Sequence, residues 1–481
     1  MMRAVPPLVL LAGVAALAGC VAGPPPVIET PAPVLPEEFL YAPEEGVAGS
    51  LSALMPQSDP AYAALSAQML AQSPTLGEAL ARIDAARAGA AGAAATRAPL
   101  INGNGTVQGQ RTNPAQFGTG LPPGINFDSE RISYGANISA SWDADLFGRL
   151  RARERSAIAL IEASNADTAA IRIALLSELA ASVIDWRTLQ AREAALRSDL
   201  DAATSLARLA GSRERAGLAP GFDRLRAESA ASSTRTRLAA LESERARLVG
   251  RLVTLTAQSG AQVLGALQLG AGPAEISLAV PSTPSLLLTN RPDVLAAGAR
   301  LAASDSALYA TAAARFPQFS LSGALGLLAF NPGDIFDSDS IIGSLAASIA
   351  APLLDFGRVE AQIDSAAADK RAAFQSYRGA VFSALGEAEG AYGLIAAADA
   401  EALAAREEQA IADRSAQLAD TRYRAGLSDF LTVLEARRVA DASGDRLAAS
   451  IGRARRARVV LWQALGGDGE TAQPIIRSIS Q

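Results

Sequence analysis

Histidine is absent from the 481 residues, cysteine occurs once (Cys20), and a single lysine (Lys370) leaves arginine to supply the rest of the 43 basic residues. Without imidazole there is no Ser/His/Asp or Cys/His triad, no histidine general base and no histidine-based metal site. One thiol permits neither an internal disulfide nor a thiolate metal cluster. A Walker-type phosphate loop needs a Gly-Lys pair, whereas Lys370 follows Asp369. Positive charge is not in excess either. The net charge is −6 and the pI near 5.1, which argues against the basic face of a nucleic-acid binder. No long apolar run follows the N-terminus, and the last helical stretch carries Arg453, Arg455, Arg456 and Arg458, which no lipid-facing helix would tolerate. Most enzyme classes are thereby excluded, and a mature chain that crosses a membrane must do so with strands. With 49% hydrophobic and 19% charged residues, the chain still has ample material for a large core.

Arg3, an apolar stretch from Val5 to Leu17, and Leu17-Ala18-Gly19-Cys20 describe a secretory signal, too short to span a bilayer as a helix. The tetrapeptide resembles the bacterial lipoprotein box, which implies cleavage before Cys20 and its modification by S-diacylglycerol and N-palmitoyl groups. The bland alternative is a buried cysteine that happens to follow a signal. Val21 stands where inner-membrane lipoproteins often carry Asp, so the resemblance points to the outer membrane. The Pro-rich residues 22–45 read as an extended tether.

The chain is duplicated. Leu146-Phe147-Gly148-Arg149 recurs as Asp355-Phe356-Gly357-Arg358, and Arg215-Ala216-Gly217-Leu218 recurs as Arg424-Ala425-Gly426-Leu427, both at an offset of 209. Pro74 matches Pro292 and Pro99 matches Pro317 at an offset of 218, so one local length change separates the copies. Each copy runs from a short helical stretch (about 75–97; about 293–315) through a strand hairpin to two very long helical segments. From Ile132 to Leu146 apolar and polar residues alternate with a period of two, and Phe319, Leu321, Gly323, Leu325 and Leu327 do the same in copy two. Leu345, Ala347, Ile349 and Ala351 share one side of its return strand. Strand Leu100–Gln110 carries few large apolar residues. The turns between are Thr112 to Pro123 and Asn331-Pro332-Gly333-Asp334. Such strands suit a transmembrane barrel, although a soluble sandwich uses the same alternation. Four strands cannot close a barrel, for which about 8 is the usual minimum, so either the hairpins pack on something else or several protomers pool theirs, and the second reading is favoured.

The spacing predicts helices over 150–214 and 222–262, and again over 359–423 and 430–465. Stripes such as Leu176, Leu179, Val183, Trp186 and Leu189 read as coiled-coil packing. Gly217 and Gly426 break the long pairs, so that each chain reverses into an antiparallel partner.

With the lipobox, six further motifs carry a resemblance: Ser141-Trp142-Asp143-Ala144-Asp145-Leu146-Phe147-Gly148-Arg149, Asn290-Arg291-Pro292-Asp293, Ala314-Arg315-Phe316-Pro317, Pro352 to Arg358, Arg422 to Leu427, and Ala464-Leu465-Gly466-Gly467. In this order they resemble the TolC-type outer-membrane efflux proteins, in the lipoprotein branch serving resistance-nodulation-division pumps. The resemblance implies a mainly α fold with a β-barrel portion: a homotrimeric channel whose 12-stranded barrel takes four strands from each protomer and continues into a long periplasmic α-helical barrel. It further implies a periplasmic adaptor, an inner-membrane transporter, passive export of small molecules such as drugs, no catalysis, and no cofactor beyond the lipid on Cys20. The expected plan is a signal peptide at 1–19, a tether at 20–58, and a first repeat at 59–272 with its hairpin near 99–146 and helices near 147–262. A second repeat follows at 273–466, with its hairpin near 317–355 and helices near 356–465, and then a tail at 467–481.

In the helix after Gly426, Leu431 and Glu435 are four apart and share a face. By position they match the family's constricting leucine and an acidic pore residue that is usually Asp, with Arg438 beside them. The plain alternatives are core packing for Leu431 and a solvated pair of Glu435 with Arg438 or Arg437. Gly217, Leu218, Gly426 and Leu427 are expected to dock the adaptor, because tight turns expose backbone and one apolar side chain. Asp223, Arg226 and Glu228 stand at the first tip and are assigned no gating role. The rivals are a coiled-coil spacer lipoprotein without a lumen, and a duct of the same fold for type I protein secretion or metal-ion efflux. A methionine relay for copper is disfavoured, since two of the 4 Met are Met1 and Met2.

Overall fold

The computed structural model describes residues 26–43, 51–113, 130–270 and 282–468. Cys20, the signal segment, most of the first hairpin turn (114–129) and most of the tail lie outside the described residues.

The helices are α1 (Pro60–Gln72), α2 (Pro74–Ala95), α3 (Arg149–Arg215), α4 (Gly221–Thr256), α5 (Gly260–Leu267), α6 (Leu287–Asn290), α7 (Pro292–Ala312), α8 (Arg358–Arg424) and α9 (Phe430–Ala464); the strands are β1 (Leu100–Arg111), β2 (Glu130–Asp143), β3 (Gln318–Ala329) and β4 (Ile341–Ala350). Helices α3 and α8 each hold 67 residues, in register at the 209 offset. Pro74 and Pro292, where a missing N–H costs nothing, open α2 and α7. The chain divides into two compact units that do not follow the repeats, because each repeat contributes to both.

One unit contains Asp84–Glu162 and Ala299–Gln375. Its centre is a four-stranded antiparallel sheet in the order β1-β2-β3-β4. The register, with Ile101 opposite Ala140, Ile138 opposite Leu325 and Leu325 opposite Gly343, assigns every side chain to a face. One face holds Ile101, Val107, Ile132, Tyr134, Ile138, Trp142, Phe319, Leu321, Leu325, Leu327, Leu345 and Ile349, with glycine and alanine between. The other holds Asn102, Asn104, Thr106, Gln108, Ser133, Asn137, Ser139, Ser141, Gln318, Ser320, Ser322, Ser344 and Ser348, and there the Ser320 and Ser348 hydroxyls lie 2.7 Å apart. The apolar face is uncovered: Val107 is 72%, Ile138 62% and Leu345 80% exposed. Among the described residues β1 and β4 each have a neighbour on one side only, and no helix is long and apolar enough to cross a membrane.

Strand β2 stops at Asp143, short of the expected Leu146. Asp145 takes a left-handed backbone (φ 42°) and its carboxylate accepts from the Leu150 and Arg151 N–H groups, capping α3 instead of extending the alternation. Phe147 stacks on Phe316 with ring centroids 4.7 Å apart, and the Trp142 Nε1–H donates to the Arg97 carbonyl at 2.8 Å. Arg97 and Arg315, equivalent in the two copies, each bind a glutamate early in the following long helix, Glu154 and Glu360. Ile28 packs against the cluster of Leu308, Ala312, Val359, Ile363 and Ala367.

The other unit contains Ala32–Ile83, Ala163–Gly298 and Ser376–Gln481. Leu65, Met69, Leu179, Leu252, Leu267, Leu461 and Trp462 are fully buried in its main core. The described part of the tether expected over 22–45, residues 26–43, is extended, and around Phe39 to Tyr41 it is packed rather than free. Phe39 is buried against Tyr392, the Leu40 N–H donates to both Glu389 oxygens at 3.0 Å, and the Tyr41 ring lies against Gly393. Leu54 and Met55, within the expected tether 20–58, belong to the same core. Arg187 binds both Asp59 oxygens (2.9 and 3.0 Å) and the carbonyls of Leu267 and Leu269, tying the entrance to α1 to the end of α5. The helix expected over 222–262 is two helices. Ala257 is left-handed (φ 55°), and Ser259 with Gln262 forms a reciprocal cap that starts α5.

Candidate functional site

Two helix reversals lie in this second unit, and their geometry is the same. Gly217 and Gly426 have φ of 73° and 75°, a region costly for any side chain with a Cβ. In the first turn the Leu218 N–H reaches back to the Arg213 carbonyl at 2.8 Å; in the second the Leu427 N–H reaches Arg422 at 2.8 Å. This is the Schellman closure, which satisfies the last carbonyls of α3 and α8. Leu218 and Leu427 are left 76% and 70% exposed. Asp429 caps α9, accepting from the Thr432 N–H at 2.7 Å, and those amide contacts hold its carboxyl below the usual range.

Just behind the tips four helices share a small core: Leu206 and Ala210 from α3, Ala227 from α4, Ala419 and Tyr423 from α8, and Phe430 and Val433 from α9. Arg213 lies over the Tyr423 ring at 4.3 Å. Because Phe430 and Val433 take the inward face of α9, Leu431, Glu435 and Arg438 fall on the outward one. Leu431 is exposed at 54%, so it is not a core residue, and Glu435 pairs with Arg438 at 3.3 Å with both side chains well solvated. The structure thus places these three side chains together on one open face.

At the same offset, Phe222 and Arg226 of α4 correspond to Leu431 and Glu435. Phe222 is 56% exposed, and the Arg226 guanidinium sits 3.9 Å from its ring centroid. The duplication carried this signal, but the two residue types differ so much that the motif hid it.

Deeper between the same helices is an acidic pair that left no trace in the sequence. Asp199 of α3 and Asp441 of α9 lie within hydrogen-bonding reach of one another, with Asp413 of α8, Arg237 of α4 and Arg437 of α9 around them. Asp199 Oδ2 is buried with no donor among the described residues. Burial first, and then the Asp441 carboxylate, push the Asp199 carboxyl up to about 7, against the pull of Arg237. A carboxyl raised in the folded state favours folding while it is protonated. That contribution is complete below the ordinary carboxylate range and is lost as pH rises toward 7. Asp199→Asn is therefore expected to flatten the fall in melting temperature between pH 5 and 8 and to melt higher than the parent at pH 8. Parallel curves for the two proteins, recorded by circular dichroism in detergent, would refute the shared proton.

A sequence profile of the family described as "Outer membrane efflux protein" matches residues 65–258 and 283–467, one stretch in each half of the chain. The chain is 32% identical over 411 residues, 83% of each protein, to the pyoverdine export outer membrane protein OpmQ of Pseudomonas aeruginosa. It is 25% identical over 470 residues to nodulation protein T of Rhizobium leguminosarum bv. trifolii, covering 94% of this chain and 95% of that one. The solved outer-membrane channel OprN superposes with a TM-score of 0.83 at 29% identity, over 92% of this chain and 98% of its own. On that profile match across both halves and that identity to OpmQ, the chain belongs to the outer membrane efflux protein family.

Proposed function

We propose that three copies of the chain form a passive exit duct, the outer-membrane component of a tripartite pump for small organic molecules. The observation that carries this reading is the sheet: four strands, an uncovered face that is apolar up to the Arg111–Glu130 pair at its end, and, among the described residues, an unpaired edge on β1 and on β4. A β-structure in hydrocarbon must pair every backbone group, so an open sheet has no stable place there. Three sheets joined edge to edge give twelve strands, a closed surface with the apolar face outward to lipid and the serine and asparagine face around a wet lumen. OpmQ is named for export and OprN is described as a channel, and both support the reading.

In the trimer, three Leu431 side chains make a ring that closes by dewetting, with the Glu435 and Arg438 pair beside it. Gly217, Leu218, Gly426 and Leu427 present backbone and two apolar side chains to a periplasmic adaptor, which links the duct to an inner-membrane transporter. Cys20 carries the S-diacylglycerol and N-palmitoyl anchor.

Protein purified from cells fed labelled palmitate is expected to carry the label, to have three times the chain mass by light scattering in detergent, and to give discrete conductance steps in planar bilayers. A monomer without conductance would overturn the duct, and an unlabelled trimer would overturn only the anchor.

A further inference from the structure

The duplication reproduces strand pairing residue for residue. Strand β3 is β1 moved by 218 positions, with both ends matching, and β4 lies within β2 moved by 209. Leu100 faces Ser141 in the first hairpin; the same two shifts turn that pair into Gln318 and Ala350, which face each other in the second. The pairs that follow agree, as far as Gly109 with Ile132 and Leu327 with Ile341. The two hairpins therefore have one register. The junction between them, β2 against β3, has no counterpart inside the chain. Its counterpart would join β4 to the β1 of another copy, and those are the two strands whose outer edges are unpaired among the described residues.

We propose that β4 joins the β1 of the next copy in the register of β2 with β3, so that Leu345, Ala347 and Ile349 face Gly109, Val107 and Gly105 of that copy. The inference rests on the trimeric duct proposed above and specifies which residues meet at its seams. Moving the β2 and β3 pairs by the same shifts gives this alignment: Ile138 with Leu325 becomes Ala347 with Val107, and Ala140 with Gly323 becomes Ile349 with Gly105. The apolar faces of the two sheets then continue into one another. Side-chain sizes fit as well. Nothing lies within 4 Å of where a Cβ would stand on Gly105 or Gly109, while Ile349 and Leu345 are 59% and 80% exposed. Each large β4 residue thus meets a glycine, and Val107 meets an alanine. A slip of two residues keeps the faces but sets Val107 against Leu345 or Ile349. Strand tilt favours the same register. From Leu100 through Ser141 to Ser322, the counterpart of Asn104, the path across the strands advances four positions. The proposed seam repeats that advance, as a tube of uniform tilt requires, whereas either slip changes it by two. On the polar face Thr106 comes opposite Ser348 and extends its hydroxyl pair with Ser320.

Cysteine pairs oxidised with copper phenanthroline in outer-membrane preparations test the seam. Facing pairs alternate between hydrogen-bonded and non-hydrogen-bonded sites, and side chains approach more closely at the latter. Two successive pairs are therefore used: Thr106→Cys with Ser348→Cys, and Val107→Cys with Ala347→Cys. At least one is expected to give a covalent trimer on heated, non-reducing gels, with single-cysteine variants setting the background from Cys20. Thr106→Cys with Ala346→Cys or with Ala350→Cys is expected to link about ten-fold less, because diagonal neighbours lie about 7–8 Å apart, beyond disulfide reach. If the lumen-side pair does not assemble, the lipid-side pair carries the test. Preferential linkage of a displaced pair overturns the register and leaves three joined sheets. A conducting trimer in which no pair links overturns the seam and leaves the duct standing. A parent protein that is monomeric and never conducts overturns the duct itself.

Discussion

Arginine in place of Ile138 or Leu325 is expected to abolish accumulation of the protein in the outer membrane. These residues face each other across β2 and β3, near the middle of the uncovered apolar face. A guanidinium at the midplane of a lipid-facing strand costs about 2–4 kcal/mol, and the proposed trimer incurs it three times. Arginine in place of Asn137 or Ser139, one residue away along β2, lands on the polar face and is expected to leave accumulation within about two-fold of the parent, because a lumenal charge stays hydrated. The comparison isolates the face from the strand, since both changes fall on the same ladder. Membrane fractionation with heat-modifiable gel migration is the measurement. Equal loss in both sets would mean that the apolar face does not meet lipid.

Removing Arg187 should cause a large loss of stability among the ion pairs. Its side chain and that of Asp59 are about nine-tenths buried, and the same guanidinium satisfies the carbonyls of Leu267 and Leu269. Arg187→Met leaves the buried Asp59 carboxylate with the Ala61 N–H as its remaining hydrogen-bond donor and without its paired charge, and breaking a buried pair from one side costs about 3–5 kcal/mol. Arg187→Met combined with Asp59→Asn is expected to recover part of that, because a neutral amide can be buried more cheaply and still caps α1. Chemical denaturation in detergent reads both. A single mutant as stable as the parent would show that water or another donor replaces the arginine. Arg187 lies about eight helical turns before the Gly217 reversal on the same helix, so conductance per assembled trimer should be unchanged.

Much of the architecture was legible because duplication writes the same signal twice. Two glycines at a 209 offset located both helix reversals, and the alternation in β2 and β3 gave the sheet its faces. Leu431, Glu435 and Arg438 were legible as one face of a helix, since spacing alone fixes that. Where the reading missed, the physics lies in contacts between distant residues or in local chemistry that periodicity does not report. Asp145 and Ser259 end and restart elements with side-chain caps inside otherwise regular patterns. The alternation of β1 is muted because Gly103 and Gly105, between Ile101 and Val107, and Gly109 after them occupy the apolar face. The Pro-rich segment looks like a spacer in sequence. It takes Tyr392, Glu389 and Gly393, about 350 residues away, to make Phe39, Leu40 and Tyr41 part of a core. Asp199 and Asp441 belong to different repeats, and nothing in either neighbourhood announces the other.

The seating of Ile28 limits where the bilayer surface can be. Ile28 lies eight positions after Cys20, and a fully stretched chain covers at most about 3.3–3.6 Å per residue. The acyl groups proposed for Cys20 would therefore enter lipid within about 26–29 Å of the Val359 and Ile363 side chains that hold Ile28. A leash that short, lipidated as proposed, would act as a depth gauge, setting the level of the headgroups against the start of α8.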